Sequence, residues 1–138
     1  MAKNWLFTTI ALSKGKMTNY TYYNRNPDGD RENDCVTRAI SLATGISYPE
    51  IRKKLFHVSK LYNCPKLTLC CYRHLLDDVF KFQRVNCEGF TVGEFATRYP
   101  CGVYLVRMDG HISTIINGDI IDIFDCSDML LTDAWKVE

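Results

Sequence analysis

The sequence lacks an excess of charge of either sign. Across 138 residues, 17 Lys and Arg face 16 Asp and Glu, which leaves a formal net charge of +1. Proteins that bind the phosphate backbone of nucleic acids are usually strongly basic. The one run of cations, Arg52-Lys53-Lys54, would point in three directions on a helix and is typical of a solvated face. We therefore expect no nucleic-acid partner.

The sequence also lacks an apolar run long enough to cross a membrane. The run at 5–12 has about eight residues, whereas a spanning helix needs about twenty, and no small-residue cleavage site of a secretory signal follows it. We expect no membrane partner and a cytoplasmic location. Residues 1–16 are interpreted as an N-terminal extension, ahead of an internal start at Met17, or as an edge strand. Residues 17–138 are then a single domain.

A disulfide framework and paired metal ligands are missing as well. The seven cysteines are an odd number without regular spacing, and no two of them form a C-x-x-C pair. This pattern favours a reducing compartment. A zinc site would need scattered ligands such as Cys64, Cys71 and His74, and buried packing is the commoner role for such cysteines. We therefore expect no metal and no cofactor.

The first clear element is a helix that follows a polar, turn-rich loop at 24–34. Apolar residues recur at 36, 39, 40 and 43, a spacing typical of one helix face. Asp34 is in the N-cap position and Gly45 is placed to end the helix. The pattern predicts a short helix that starts at Cys35.

Three further helices are predicted before the sequence changes character. Ser47 to Glu50 reads as a capping box with proline in the first turn, and an apolar face continues to Tyr62. Apolar residues at i, i+4 and i+8 indicate a third helix at 68–80. A capping box at Thr91–Glu94 opens a brief helix that Pro100 stops.

Strand signals dominate from Gly102 onward. Residues 102–107 and 112–124 are dense in β-branched and aromatic side chains. Asn117-Gly118 is a strong signal for a type I′ turn, which would join strands at about 111–116 and 119–124. The sequence therefore predicts an α+β fold in which N-terminal helices are followed by a mostly antiparallel sheet.

Cys35 is the cysteine best placed for chemistry. It lies where the polar loop meets a helix start, and the first turn of a helix stabilises a thiolate through its dipole and its unpaired backbone N–H groups. Its own N–H could also face a tetrahedral oxyanion. A nucleophilic thiol needs a histidine within hydrogen-bond reach. His57 and His74 lie within helices, so His111, which follows Gly110 and opens a strand, is the predicted base.

An acid on the next strand would orient this imidazole. With a two-residue turn at 117–118, facing residue numbers sum to 235, so Ser113 faces Asp122, and Asp122 is a diagonal neighbour of His111. A bulge near the strand end could bring Asp125 to the histidine instead. The register favours Asp122 and leaves Asp125 as the alternative third member.

These motifs resemble those of papain-like cysteine hydrolases. The segment 33–41, Asn-Asp-Cys-Val-Thr-Arg-Ala-Ile-Ser, is similar to the nucleophile helix of a family of small papain-like proteins common in bacteriophage and bacterial genomes, and more distantly to that of ovarian-tumour-type deubiquitinases. The segment from Gly102 through Gly110-His111 and Asn117-Gly118 to Asp122–Asp125 is similar to the histidine hairpin of the same phage family.

The resemblance implies a papain-like fold and a Cys35–His111–Asp122 triad, with Asn33 or Asp34 supporting the oxyanion. Papain takes that support from a glutamine six residues before its cysteine, and Gly29 occupies that position here. The implied function is that of a phage-encoded peptidase, isopeptidase or amidase, acting on a host or viral protein in the host cytoplasm. The alternative is a catalytically inactive papain-like accessory or virion protein that binds other proteins. The oligomeric state is not predicted.

Overall fold

The computed structural model describes residues 19–30 and 32–138, so the predictions for residues 1–16 and for a start at Met17 lie outside the described residues. Its α-helices are α1 (Cys35–Thr44), α2 (Tyr48–Tyr62), α3 (Leu69–His74) and α4 (Val92–Arg98), and its strands are β1 (Asn19–Tyr22), β2 (Gln83–Arg84), β3 (Val103–Met108), β4 (His111–Ile116), β5 (Asp119–Asp122) and β6 (Leu131–Lys136).

The strands form one six-stranded mixed sheet in the order β1-β5-β4-β3-β6-β2. The edge strand β1 runs parallel to β5, and the other four neighbouring pairs are antiparallel. The α+β class is thus confirmed. The predicted order of helices before strands is wrong in part, because β1 precedes all the described helices and β2 lies between α3 and α4.

The signals that end and begin the helices act as predicted in most places. Gly45 ends α1 with φ = 78°, and the Ser47 hydroxyl accepts a bond from the Glu50 N–H at the start of α2. Thr91 and Glu94 form the complete capping box of α4. The helix predicted at 68–80 is shorter in its α-helical part, because Leu75–Val79 is a π-helical turn that continues α3.

The predicted hairpin register is confirmed. Asn117 and Gly118 both have positive φ, 48° and 80°, as a type I′ turn requires. Thr114 pairs with Ile121, and Ile115 pairs with Ile120, so facing numbers sum to 235. The second strand ends at Asp122 rather than at residue 124.

Two apolar clusters lie on the sheet. One joins α1, α2 and α3 to Leu105, Ile112 and Trp135. The other joins α4 to side chains that include Val106, Ile115 and Ile120. These residues alternate along β3 and β4, so the two clusters occupy opposite faces. Helix α1 is held on the first face by a bond of 2.8 Å from the Thr114 hydroxyl to the Ala39 carbonyl, which sets Cys35 beside the start of β4.

Candidate active site

Cys35 is the first residue of α1 and is half-buried. Its thiol lies beside the His111 ring and the backbone N–H of Ile112, and hydrogen bonding from both favours its ionised form. Burial by itself would raise the pKa of the Cys35 thiol, but these two bonds and the positive charges of His111 and Arg38 more than offset it. The pKa of Cys35 is therefore held below that of an ordinary thiol.

His111 opens β4 directly after Gly110, whose φ of 77° forms the tight turn from β3. Its Nε2 lies 2.7 Å from an oxygen of Asp122, which leaves Nδ1 for Cys35. Its side chain is 10% exposed, and the ring of Phe124 packs against it with centroids 4.7 Å apart. Burial lowers the pKa of His111, but bonds to Asp122 and Cys35 outweigh it and raise the pKa to about 9. Imidazolium is thus the favoured form at neutral pH.

Asp122 is the acid that contacts His111. Its carboxylate also accepts bonds from the Ser113 hydroxyl (2.6 Å), the Ile123 backbone N–H (2.7 Å) and Nη1 of Arg38 (3.0 Å). Burial would raise the pKa of Asp122, but these donors together hold it below its ordinary value. The alternative acid, Asp125, is exposed and accepts a bond from the Ser127 N–H at 3.0 Å.

A buried guanidinium behind this pair was not predicted. Arg38 donates from Nε to Asp34 at 2.6 Å and from Nη1 to Asp122 at 3.0 Å. The carboxylate of Asp34 also accepts bonds from the Tyr48 hydroxyl (2.6 Å) and the Asn26 amide (3.0 Å). The sequence held a signal for this network: Arg38 follows Cys35 by three residues and Asp34 by four, so a cation lies on the Cys35 side of a largely apolar helix.

The two residues predicted to support the oxyanion have different surroundings. Asp34 occupies the N-cap position of α1 but makes no side-chain cap bond, because Arg38, Tyr48 and Asn26 take up its carboxylate. An ionised carboxylate has no hydrogen to donate, so Asp34 supports the network around Arg38 instead of an oxyanion. Asn33 is exposed and lines the same cavity as Cys35, where its amide could donate to an oxyanion.

Two cavities adjoin this region. The first, the Cys35 cavity, has a volume of about 250 Å³ and is lined by Cys35 and His111 together with side chains of α3 and β3. The second, the Tyr48 cavity, has a volume of about 340 Å³ and lies over the loop before α1. Asn33 and Leu67 line both cavities and so form the boundary between them. Cys35 therefore borders one open space, and a second space lies across this boundary.

Metal-ligand geometry occurs at one place in the described residues. Ligand atoms of His111, Asp122 and Cys126 all lie within 4.8 Å of one another. A metal there would have to displace the bonds that Arg38 and Ser113 make to Asp122. The set considered from the sequence, Cys64, Cys71 and His74, does not form such a group among the described residues. The His74 ring instead bonds Asp78 at 2.7 Å and stacks on Tyr62.

No protein-family model, curated protein sequence or solved structure matches this chain. The longest of the described helices, α2, has 15 residues, and none of the helices described at 19–30 and 32–138 combines the length and apolar content that a bilayer crossing requires.

Proposed function

We propose that the chain is a papain-like cysteine hydrolase in which Cys35 is the nucleophile, His111 its base and Asp122 the group that orients the imidazole. The observation that carries the proposal is the hydrogen-bonded order thiol, imidazole, carboxylate, with the thiol at a helix start and next to an open cavity. The pKa of Cys35 is lowered and that of His111 is raised. These shifts favour a thiolate–imidazolium pair, the reactive form of such a site.

The thiolate of Cys35 attacks the carbonyl carbon of the substrate, and the Asn33 amide and the Cys35 backbone N–H donate to the oxyanion. The imidazolium of His111 then protonates the leaving group as its bond to carbon breaks, which yields a thioester. Neutral His111 next takes a proton from water, the resulting hydroxide attacks the thioester, and Cys35 leaves as thiolate. Asp122 keeps Nδ1 directed at Cys35 by holding Nε2. No step needs a cofactor.

The substrate class in this proposal is a peptide, isopeptide or other amide. The resemblance of residues 33–41 and 102–125 to small phage proteins supports a phage origin, with a host or viral protein as substrate. An inactive protein-binding module built on the same fold would not need the opposed pKa shifts of a nucleophile and a base.

Ester hydrolysis tests this chemistry without knowledge of the natural substrate. With p-nitrophenyl acetate, the wild-type protein should release nitrophenolate over many turnovers, and peptide mass spectrometry should find a transient acetyl group on Cys35. Cys35→Ala should release it only at the background rate, whereas Cys126→Ala should keep the wild-type rate. Equal release by the wild-type and Cys35→Ala proteins would rule the proposal out.

A further inference from the structure

The Cys35 cavity differs from its neighbour in charge. None of the described residues that line the Cys35 cavity is Asp or Glu, and Arg107 lies in its wall. The Tyr48 cavity, in contrast, is lined by the three carboxylates of Asp28, Glu32 and Asp34 as well as by the cations of Arg52 and Lys66. The space beside the proposed nucleophile is therefore the one suited to an anionic group.

The sheet places Arg107 in the wall of the cavity that Cys35 lines. It pairs across β3 and β4 with Ile112, the residue whose backbone N–H bonds the Cys35 sulfur. Side chains that face each other across strands share a face of the sheet, with Cβ atoms about 5 Å apart. Arg107 therefore lies on the face of the sheet that α1 covers, and it lines the same cavity as Cys35.

The guanidinium of Arg107 has unused donors. Asp133 accepts only from its Nε, at 2.6 Å, and no described residue bonds either Nη group. Neither Nη group is buried without a partner, so both are accessible. Asp133 is also paired with Arg84, at 2.7 Å. The end of the guanidinium, with two parallel N–H groups, is the geometry that binds a carboxylate in a bidentate manner.

A second donor in the same wall also lacks a partner. Tyr72 lies on α3 and is 5% exposed, and its hydroxyl bonds no other described residue. Burial, offset in part by Arg107, raises the pKa of Tyr72 to about 12, so the hydroxyl keeps its proton at neutral pH. No buried side-chain nitrogen or oxygen of the described residues lacks a partner, so this unbonded hydroxyl keeps some exposed surface. Because Tyr72 lines the cavity, its hydroxyl can donate to water or to a ligand there.

We propose that the Cys35 cavity binds a carboxylate of the substrate, through the Nη groups of Arg107 and the hydroxyl of Tyr72. Leu67 and Leu69 line the rest of the cavity and would pack on the carbon atoms that carry the carboxylate. This inference rests on the proposed hydrolase function and narrows its substrates. The carboxylate is either an acidic side chain next to the bond that is cleaved or the free C-terminus of a short substrate.

The acidic side chain is tested with two reagents that differ in charge but not in size, N-acetyl-aspartyl and N-acetyl-asparaginyl chloromethyl ketone. In both, the Cys35 thiolate displaces chloride and forms a carbon–sulfur bond. The rate with the aspartyl reagent is divided by the rate with the asparaginyl reagent, and the same ratio is measured for 2-mercaptoethanol. We expect the ratio for Cys35 to exceed that of the free thiol by about tenfold, the contribution of one charge-assisted hydrogen bond.

The variant Arg107→Met should return this ratio to that of 2-mercaptoethanol. Tyr72→Phe should lower the ratio by about threefold, because it removes one neutral donor and no charge. Arg52→Met is the matched control, since Arg52 is a cation of the Tyr48 cavity, and its ratio should equal that of wild type.

The free C-terminus is tested by protection. If it is the source of the carboxylate, N-acetyl-glycylglycine should slow the alkylation of Cys35 by iodoacetamide, whereas its C-terminal amide should not, and Arg107→Met should abolish the difference. An aspartyl preference without protection identifies a side chain, and protection alone identifies a terminus.

The absence of both effects in the wild-type protein would overturn the carboxylate proposal. A different result would contradict the hydrolase proposal: Cys35 would react with both chloromethyl ketones no faster than 2-mercaptoethanol does. Because the charge test uses a ratio of rates, it remains readable in that case.

Discussion

Two thiols, those of Cys35 and Cys126, lie near the His111–Asp122 pair, and their pKa values are shifted in opposite directions. Cys35 meets the pair at the imidazole, together with the Ile112 N–H and the charge of Arg38, and its pKa is lowered. Cys126 lies within 4.8 Å of the ligand atoms of both members. Burial, followed by the negative charges of Asp122 and Asp125, raises the pKa of Cys126 to about 12 despite a bond with Ser113.

This difference shows that closeness to a histidine and an acid does not by itself lower the pKa of a thiol. Cys35 faces the donors and cations of the site, and it borders an open cavity at a helix start. Cys126 faces its carboxylates and is 1% exposed. Desolvation opposes the thiolate at both positions, so the sign of the neighbouring charges decides which sulfur ionises.

The largest expected effect is the difference in hydrolysis between a variant that lacks the Cys35 sulfur and one that lacks the Cys126 sulfur. Cys35→Ala should lower p-nitrophenyl acetate hydrolysis by at least about a thousandfold, because no other group replaces the nucleophile. Cys126→Ala should change it by less than about threefold. Circular dichroism spectra of both variants should match the wild type. A large loss of activity in well-folded Cys126→Ala would contradict the assignment.

Exchange of the acid comes next. Asp122→Asn should lower hydrolysis by roughly a hundredfold or more, because the amide does not stabilise the imidazolium. The pKa of His111 should fall from about 9, so the alkaline limb of the pH–rate profile should move to lower pH. Asp125→Asn, at the exposed alternative acid, should leave both the rate and the profile unchanged. The opposite result for the two variants would make Asp125 the third member.

Removal of the buried cation Arg38, whose charge helps to lower the pKa of Cys35, should change the free energy of unfolding. Arg38→Met leaves the buried carboxylate of Asp34 without an ion pair and that of Asp122 with His111 alone, which should cost about 3–5 kcal/mol of unfolding free energy at neutral pH. The pKa values of both carboxylates are lowered in the folded protein. Their contribution is therefore present above the ordinary carboxyl pKa and is lost as the pH falls.

Urea unfolding should accordingly show that wild type and Arg38→Met differ in the free energy of unfolding, and that this difference becomes smaller from about pH 7 to about pH 3. Exposed Arg52→Met is the control, with a change below about 0.5 kcal/mol at either pH. If the loss of unfolding free energy in Arg38→Met does not depend on pH, it arises from lost packing and not from lost charge.

The smallest effect on hydrolysis is expected at Ser113, which contacts both Asp122 and Cys126. Its hydroxyl donates to Asp122 at 2.6 Å and also bonds Cys126. Ser113→Ala removes one of the four donors to the carboxylate, so hydrolysis should fall by about threefold to tenfold. Thr132→Ala removes an exposed hydroxyl and should leave the rate unchanged. Alkylation of Cys126 in Ser113→Ala should stay slow, and rapid modification there would show that Ser113 alone keeps it inert.

Local signals account for the parts of the fold that could be predicted. Helical spacing and Gly45 predicted α1, and Asn117-Gly118 predicted the hairpin whose register brings Asp122 next to His111. The predicted roles of these residues stay predictions. Strand β6 was not predicted because Asp133, a polar residue within it, interrupts the apolar pattern. The ion pairs of that carboxylate are with Arg84 and Arg107, which lie on other strands.

The interior of the site could not be predicted because its partners are distant in sequence. Arg38 lies 84 residues from Asp122, and no periodicity connects a helix cation to a strand carboxylate. The N-cap prediction for Asp34 was wrong about its side chain for the same reason, since Arg38 and Tyr48 compete for the carboxylate. The free donors of Arg107 and Tyr72 become visible only once the cavity is formed.

The activated Cys35–His111 pair is tested by the pH dependence of alkylation by iodoacetamide, in wild type and in His111→Ala. Peptide mass spectrometry follows Cys35 and Cys126 separately. We predict that Cys35 titrates well below the value near 8.5 of a free thiol, that this shift disappears in His111→Ala, and that Cys126 stays unreactive in both proteins. If the pKa of Cys35 in the wild type is at or above 8.5, or is unchanged in His111→Ala, Cys35 and His111 do not form an activated pair.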